Sequence, residues 1–306
     1  MTTLLVASPA AISPTLGAEL LTNGNMETGD PPTGWTPSGG PTLDGVADER
    51  TGGAGVQSLS VTSNADDWDY ARCSISGQPA NTWYQGSMWG RRVTANWTMD
   101  VCSHGAPGTK TSTAWVQGWA SGFTTGTAPS IALAVTTALS EARGDDASLK
   151  AITFPTTLGS VYSLAADYTA QVGLTLDAGN RGTWGGMILN LDNAANPQNF
   201  ILATMTYLAE LWKCVGGTWT KLISIWAPYG NGKILKVIKS GTQVSLWYNA
   251  VQIGTTQTIS DVGIINNTLC SWWSTYSGNT FANFQVDYTA AAARALFSRP
   301  FAAAFG

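Results

Sequence analysis

The sequence predicts an all-β protein built from two sandwich domains in tandem, and three observations carry that expectation. Charged residues are only 11% of the 306-residue chain, while Gly contributes 34. Long amphipathic helices need Glu, Lys, Arg and Leu in quantity, whereas strand faces turned to water are served by Thr, Ser and Asn. Short β-type runs recur between Gly, Pro, Asn and Asp punctuation, as in a sandwich or barrel rather than in βαβ units. The charge is also unevenly divided: residues 1–150 carry 13 acids and 7 bases, residues 151–306 carry 6 acids and 8 bases. A boundary near the middle is expected from that asymmetry.

Residues 1–18 read as an extended N-terminal arm, uncharged and interrupted by Pro9 and Pro14, which is a poor match to a secretory signal. The first sandwich is expected over 19–153. Its strand-like runs include Gln57-Ser-Leu-Ser-Val61, Trp83-Tyr-Gln-Gly-Ser-Met-Trp89, Ala114-Trp-Val-Gln-Gly-Trp119 and Ile131-Ala-Leu-Ala-Val135. The second is expected over 154–289, where the clearest element is a hairpin. Ile234-Leu-Lys-Val-Ile-Lys and Gln243-Val-Ser-Leu-Trp-Tyr alternate in polarity on either side of Gly241, and Asn249 suits the left-handed turn before Val251-Gln-Ile253. A tail, 290–306, closes the chain; its Ala-rich start suits a short helix that Pro300 would end.

Several function classes are disfavoured. The net charge of −4 removes the clustered bases that nucleic acid requires. No run of eighteen apolar residues is present to span a bilayer as a helix. Cys73, Cys102, Cys214 and Cys270 form no CxxC pair, which argues against zinc. They are either one disulfide per domain or buried thiols, the second being preferred. The single His104 lies in a turn-like stretch without a nucleophile elbow, and Glu210 is the only Glu of the second block, so neither a hydrolytic triad nor a pair of glycosidase carboxylates is expected.

Glu19-Leu-Leu-Thr-Asn-Gly-Asn-Met-Glu27 with Gly34-Trp35, and Gly144-Asp-Asp-Ala-Ser-Leu149, resemble the opening and closing strands of jelly-roll carbohydrate-binding modules. The resemblance implies a structural calcium ion held by Glu27 and Asp146, with Asp145 as a further ligand. The hairpin of the second block and Phe281-Ala-Asn-Phe-Gln-Val-Asp287 resemble laminin-G or concanavalin A-like sandwiches, with Ala250 where that pattern has Gly. Such sandwiches occur in lectins, adhesion modules, glycosidase accessory domains and phage particle proteins, so they imply fold more than function.

The 14 Trp are the compositional surplus. Sugars present C–H faces that stack on indoles and hydroxyls that pair with Asp, Asn and Gln. Candidate glycan-binding residues are Asp66, Trp68, Asp69 and Tyr70 in one acidic-aromatic cluster, Trp89, Trp115 and Trp119 on strands of the first block, and Trp272, Trp273 and Tyr276 in the second. The apolar ends (Leu4, Leu5, Val6 and Ile12; Phe297, Phe301 and Phe305) are poor solvent-facing segments and suggest packing on neighbouring subunits. The expectation is therefore a non-catalytic subunit of a large assembly. A virion surface protein of a tailed phage fits best: a capsid decoration, fibre or tail component, with copies of itself, other particle proteins and glycans as its partners. The alternative is a secreted, extracellular carbohydrate-binding protein.

Overall fold

A computed structural model describes residues 2–48, 50, 52–53, 55–64, 68–103, 109–177 and 182–288, the side chains of 2–6 and 288 excepted. Asp66, His104, Phe297, Phe301 and Phe305 thus lie outside the described residues. The regular structure of the described chain is almost entirely strand, and the chain divides into two compact units, one of Pro14–Phe154 with Asp177–Trp184 and one of Met1–Ser13, Pro155–Leu176 and Gly185–Gly306.

The segment expected as an extended N-terminal arm pairs into the sheets of both units. Its strand β1 (Thr2–Ala7) belongs to the second unit, while β2 (Leu16–Glu19) begins the first. Backbone pairing explains the difference: extended residues 2–7 complete a sheet edge, satisfying amides that an arm would leave to water.

The first sandwich continues through β3 (Trp35–Ser38), β4 (Thr42–Val46), β5 (Ser58–Thr62), β6 (Asp69–Ser74), β7 (Thr82–Arg92), β8 (Trp97–Val101), β9 (Val116–Thr124), β10 (Ser130–Val135) and β11 (Glu141–Ile152). One sheet has the order β3-β6-β10-β8; the other has β4-β5-β11-β7-β9, with β2 also paired to β11. All pairings are antiparallel. Between the sheets lie Leu59, Val61, Tyr84, Met88, Trp97, Ile131, Leu133 and Leu149, contributed alternately as the pleat requires.

The second sandwich comprises β1 with β12 (Tyr162–Ser163), β13 (Tyr168–Thr175), β14 (Gly185–Leu191), β15 (Phe200–Met205), β16 (Leu208–Val215), β17 (Thr218–Trp226), β18 (Lys233–Ser240), β19 (Gln243–Tyr248), β20 (Val251–Thr258), β21 (Leu269–Ser274) and β22 (Thr280–Tyr288). A short helix, α1 (Val262–Ile265), links β20 to β21. Its sheets are β1-β22-β13-β18-β19-β20 and β12-β21-β14-β15-β16-β17. Val172, Leu174, Met187, Ile201, Leu211, Leu235, Val237, Leu246 and Phe284 fill the space between them. Ile12, expected to contact another subunit, is buried in this same core. The β18–β19–β20 meander turns at Gly241 (φ +56°) and again at Asn249 and Ala250 (φ +49° and +66°), so Ala occupies a conformation that Gly adopts without strain.

All four cysteines are free thiols. Burial raises the thiol pKa of Cys73 and Cys270 and pushes those of Cys102 and Cys214 up to about 12, which leaves them inert packing groups.

Candidate functional site

Strand β7 sets one face of the first sandwich by simple alternation. Tyr84 and Met88 point into the core, and Gly86 and Gly90 share their side, where an added Cβ would meet Val101 and Ile131 or the Trp97 ring. Trp83, Gln85, Ser87, Trp89 and Arg91 therefore face outward. Register carries this face across the sheet. Trp89 stands opposite Gln117 of β9 and Asp145 of β11, Ser87 opposite Trp119 and Ser148, and Gln85 opposite Ser121 and Lys150. Trp115, just before β9, completes the row: the Arg91 guanidinium lies 5.6 Å from its ring centroid. Three half-buried indoles, Trp89, Trp115 and Trp119, thus meet on the β7–β9 side of one sheet, with Gln117 between them and Ser87 beneath. Trp115 and Trp119 are four strand residues apart, about 13 Å.

The ends of this face are closed by the protein itself. At one end Trp83 packs on Phe123 (5.3 Å) and edge-on to Trp184 (5.0 Å), whose indole N–H donates to the Ser121 carbonyl (3.2 Å). Trp83 and Trp184 are buried and offer no platform. At the other end, Asp48 in the β4–β5 loop accepts from both Arg91 and Arg143, and Arg143 Nε also donates to Glu141 (2.8 Å). The same loop lays Arg50 over Trp89, 4.4 Å from the ring centroid, and pairs it with Asp146. Asp145, only 2% exposed, is thereby sealed under the loop. Burial, with the neighbouring Asp146 charge adding to it, pushes its pKa up to about 6; amides of Asp146 (2.7 Å to Oδ1) and Arg50 oppose the rise.

The acids implied as calcium ligands are engaged by the protein's own donors. Glu27 Oε1 accepts the amides of Val56 (2.9 Å) and Gln57 (2.8 Å), and Asp146 is held by Arg50. Among the described residues no three or more Asp, Glu, His and Cys side chains come together as a metal-binding group. The Arg50 guanidinium supplies positive charge beside Asp146.

The acidic-aromatic cluster of the first block is split. Trp68 is 45% exposed at φ +69°. Asp69, next to it, is buried and accepts the Asn64 amide (2.9 Å), which makes it a turn staple rather than a hydroxyl ligand. Tyr70 is half-buried on the other sheet, where burial and the Asp100 charge raise its phenol pKa. None of these joins Trp89, Trp115 and Trp119. In the second block, Trp272 packs on Tyr162 and Phe284 and donates to the Ala10 carbonyl (3.1 Å), and Trp273 is fully buried. Neither can stack on a sugar, and Tyr276 is half-buried. Glu210 is locked: its carboxylate accepts from Trp212 Nε1 (2.9 Å), Lys221 Nζ (2.9 Å) and Ser224 Oγ (2.6 Å).

Gln85, Ser87 and Gln117 were not singled out from the sequence, although the alternation of β7 and β9 places them beside the tryptophans. Arg50 carried no local signal at all.

No protein-family model and no curated protein sequence matches the chain. Among solved structures, the tandem CBM22-1–CBM22-2 domain of Paenibacillus barcinonensis Xyn10C is similar over 92% of this chain and 99% of its own, at 13% identity and TM-score 0.36. The single CBM22-1 xylan-binding domain of that protein matches 48% of this chain and 98% of its own (20%, TM-score 0.36). The Caenorhabditis elegans galectin LEC-6 matches 42% and 90% (10%, TM-score 0.34). These are likenesses of fold and assign no ligand. The strand orders above define the chain as two antiparallel β-sandwiches in tandem.

Proposed function

We propose that the chain is a non-catalytic glycan-binding protein whose first sandwich holds an oligosaccharide on the β7–β9 face. One observation carries the reading: Trp115 and Trp119 at β9 and Trp89 of β7, the last beneath the Arg50 guanidinium, share a single sheet face with amide and hydroxyl side chains between them. Half-buried Trp rings combine a large apolar surface with fixed orientation, and Gln117 can both donate to and accept from sugar hydroxyls. A place outside a cell or on a particle surface, where polysaccharides are met, follows from this reading. Of the residues expected to serve assembly through the N-terminal segment, Ile12 is packed within the chain's own core, while the side chains of Leu4, Leu5 and Val6 on β1 lie outside the described residues. The expected virion-subunit role keeps as its support the apolar residues Leu4, Leu5 and Val6 and the tail residues Phe297, Phe301 and Phe305, whose side chains lie outside the described residues.

The test is electrophoresis of the full chain through gels cast with soluble xylan, mixed-linkage β-glucan, galactomannan or dextran, together with a glycan array. Trp89→Ala/Trp119→Ala should be retarded clearly less than the wild type in the gel that retards the wild type, with an unchanged circular dichroism spectrum. Undiminished binding by that folded double variant would refute the assignment of this face.

A further inference from the structure

A second row of side chains crosses the outer face of a sheet in the other sandwich. Register places Gln285 of β22 opposite Gln171 of β13, Gln171 opposite Lys236 of β18, Lys236 opposite Trp247 of β19, and Trp247 opposite Gln252 of β20. The opposite side of these strands carries the core residues Val172, Leu235, Val237, Leu246, Ile253, Phe284 and Val286, so the row faces away from the core. Four interstrand gaps make it about 19 Å long, enough for several sugar rings.

Its chemistry is organised. Trp247 Nε1 donates to Ser245 Oγ (2.9 Å), which fixes the ring, and Lys236 Nζ lies 4.9 Å from the ring centroid with no ion pair among the described residues. Asp287 accepts both contacts of Gln285 Nε2 (2.9 Å each), so Gln285 presents Oε1 to Gln171 Nε2 (3.2 Å). That orientation leaves the Gln171 Oε1 as an acceptor. Gln252 Nε2 is turned to the Gly254 carbonyl and Thr256 hydroxyl (3.3 Å each), which leaves its Oε1 as another. An acceptor, an ammonium donor, a fixed indole and a second acceptor therefore follow one another across four strands.

We infer that this Trp247 row is a second binding face, for a neutral oligosaccharide, and that the protein is bivalent for glycan. Hydroxyls both donate and accept, as the mixed row requires. The one cation and one carboxylate of the row suit neither a phosphate-rich polymer nor a strongly acidic partner. The inference rests on the glycan-binding reading but on a different sandwich and different residues.

The test compares full-length wild type, Trp247→Ala, Gln171→Ala/Gln252→Ala and Trp89→Ala/Trp119→Ala in the same polysaccharide gels, and asks which of them agglutinate beads coated with the retarding polysaccharide. The wild type should agglutinate the beads. Trp247→Ala should bind at least about tenfold more weakly and fail to agglutinate, and the glutamine pair should do likewise; bivalency multiplies affinity without new contacts. Residual retardation of Trp89→Ala/Trp119→Ala should disappear when Trp247→Ala is added. Wild-type binding and agglutination by both second-sandwich variants, with all binding lost in Trp89→Ala/Trp119→Ala, would overturn the second face and leave the first standing. Binding lost only through Trp247 would do the reverse. No retardation of the wild type by any of the four polysaccharides would remove both.

Discussion

Replacing Asp145 with Asn isolates the least comfortable group on the first sandwich. The carboxyl is buried beneath the β4–β5 loop beside Asp146, and its pKa rises from 3.8 to about 6. Between those values the folded protein holds a proton that the unfolded chain has released, so stability falls as pH rises through this window and stays reduced above it. At about 1.36 kcal/mol per pKa unit, the loss above pH 6 is at most about 3 kcal/mol. Asn keeps the Oδ1 acceptor for the Asp146 amide (2.7 Å) while removing the charge. Urea unfolding followed by Trp fluorescence at pH 4, 6 and 8 is the assay. Asp145→Asn should be more stable than wild type by about 2–3 kcal/mol at pH 8, with the difference vanishing near pH 4. A variant no more stable at pH 8 would refute the reasoning. The same titration in millimolar calcium or EDTA should change neither curve; calcium-dependent stabilisation of the wild type, lost in Asp145→Asn, would show that the carboxylates hold an ion after all.

Three further outcomes follow from the geometry. Arg50→Ala removes a cation–π contact and an ion pair with partly buried partners, so unfolding should become easier by about 1–2 kcal/mol. It should also uncover Trp89, seen as faster acrylamide quenching; unchanged quenching would mean that Arg50 does not cover the ring. Glu210→Ala strands the buried Trp212 N–H and the Lys221 pair, a cost of about 2–4 kcal/mol in urea unfolding, and a cost under 1 kcal/mol would show water replacing the carboxylate. Ala250→Gly relieves a left-handed Ala and should stabilise the second sandwich by about 0.5–1 kcal/mol, as a calorimetric shift would register; a destabilised variant would place the strain elsewhere.

The β18–β19–β20 meander was legible because its signals are local: strict alternation, a Gly turn, and an Asn able to enter the left-handed region. The grouping of Trp89, Trp115 and Trp119 was legible in part, since each sits on a run with strand character. The fate of Trp272 and Trp273 was not. Adjacent residues on a strand point to opposite faces, so at least one of the pair had to turn inward, and packing on both faces of β21 buries both. Trp247 was hidden for the opposite reason. Within the hairpin it read as one alternating apolar position, and only its partners on neighbouring strands show that its side faces out.

The sequence by itself determined that the chain forms strands, where several of them turn, and that two sandwiches share its length, because propensity, alternation and turn chemistry act over a few residues. The tertiary structure alone decided which tryptophans remain accessible, that the first residues complete the second sandwich, and that Arg50 closes over Trp89 by reaching Asp146, 96 positions away. Burial and ion pairing depend on which distant strands become neighbours, and strand order and register set that.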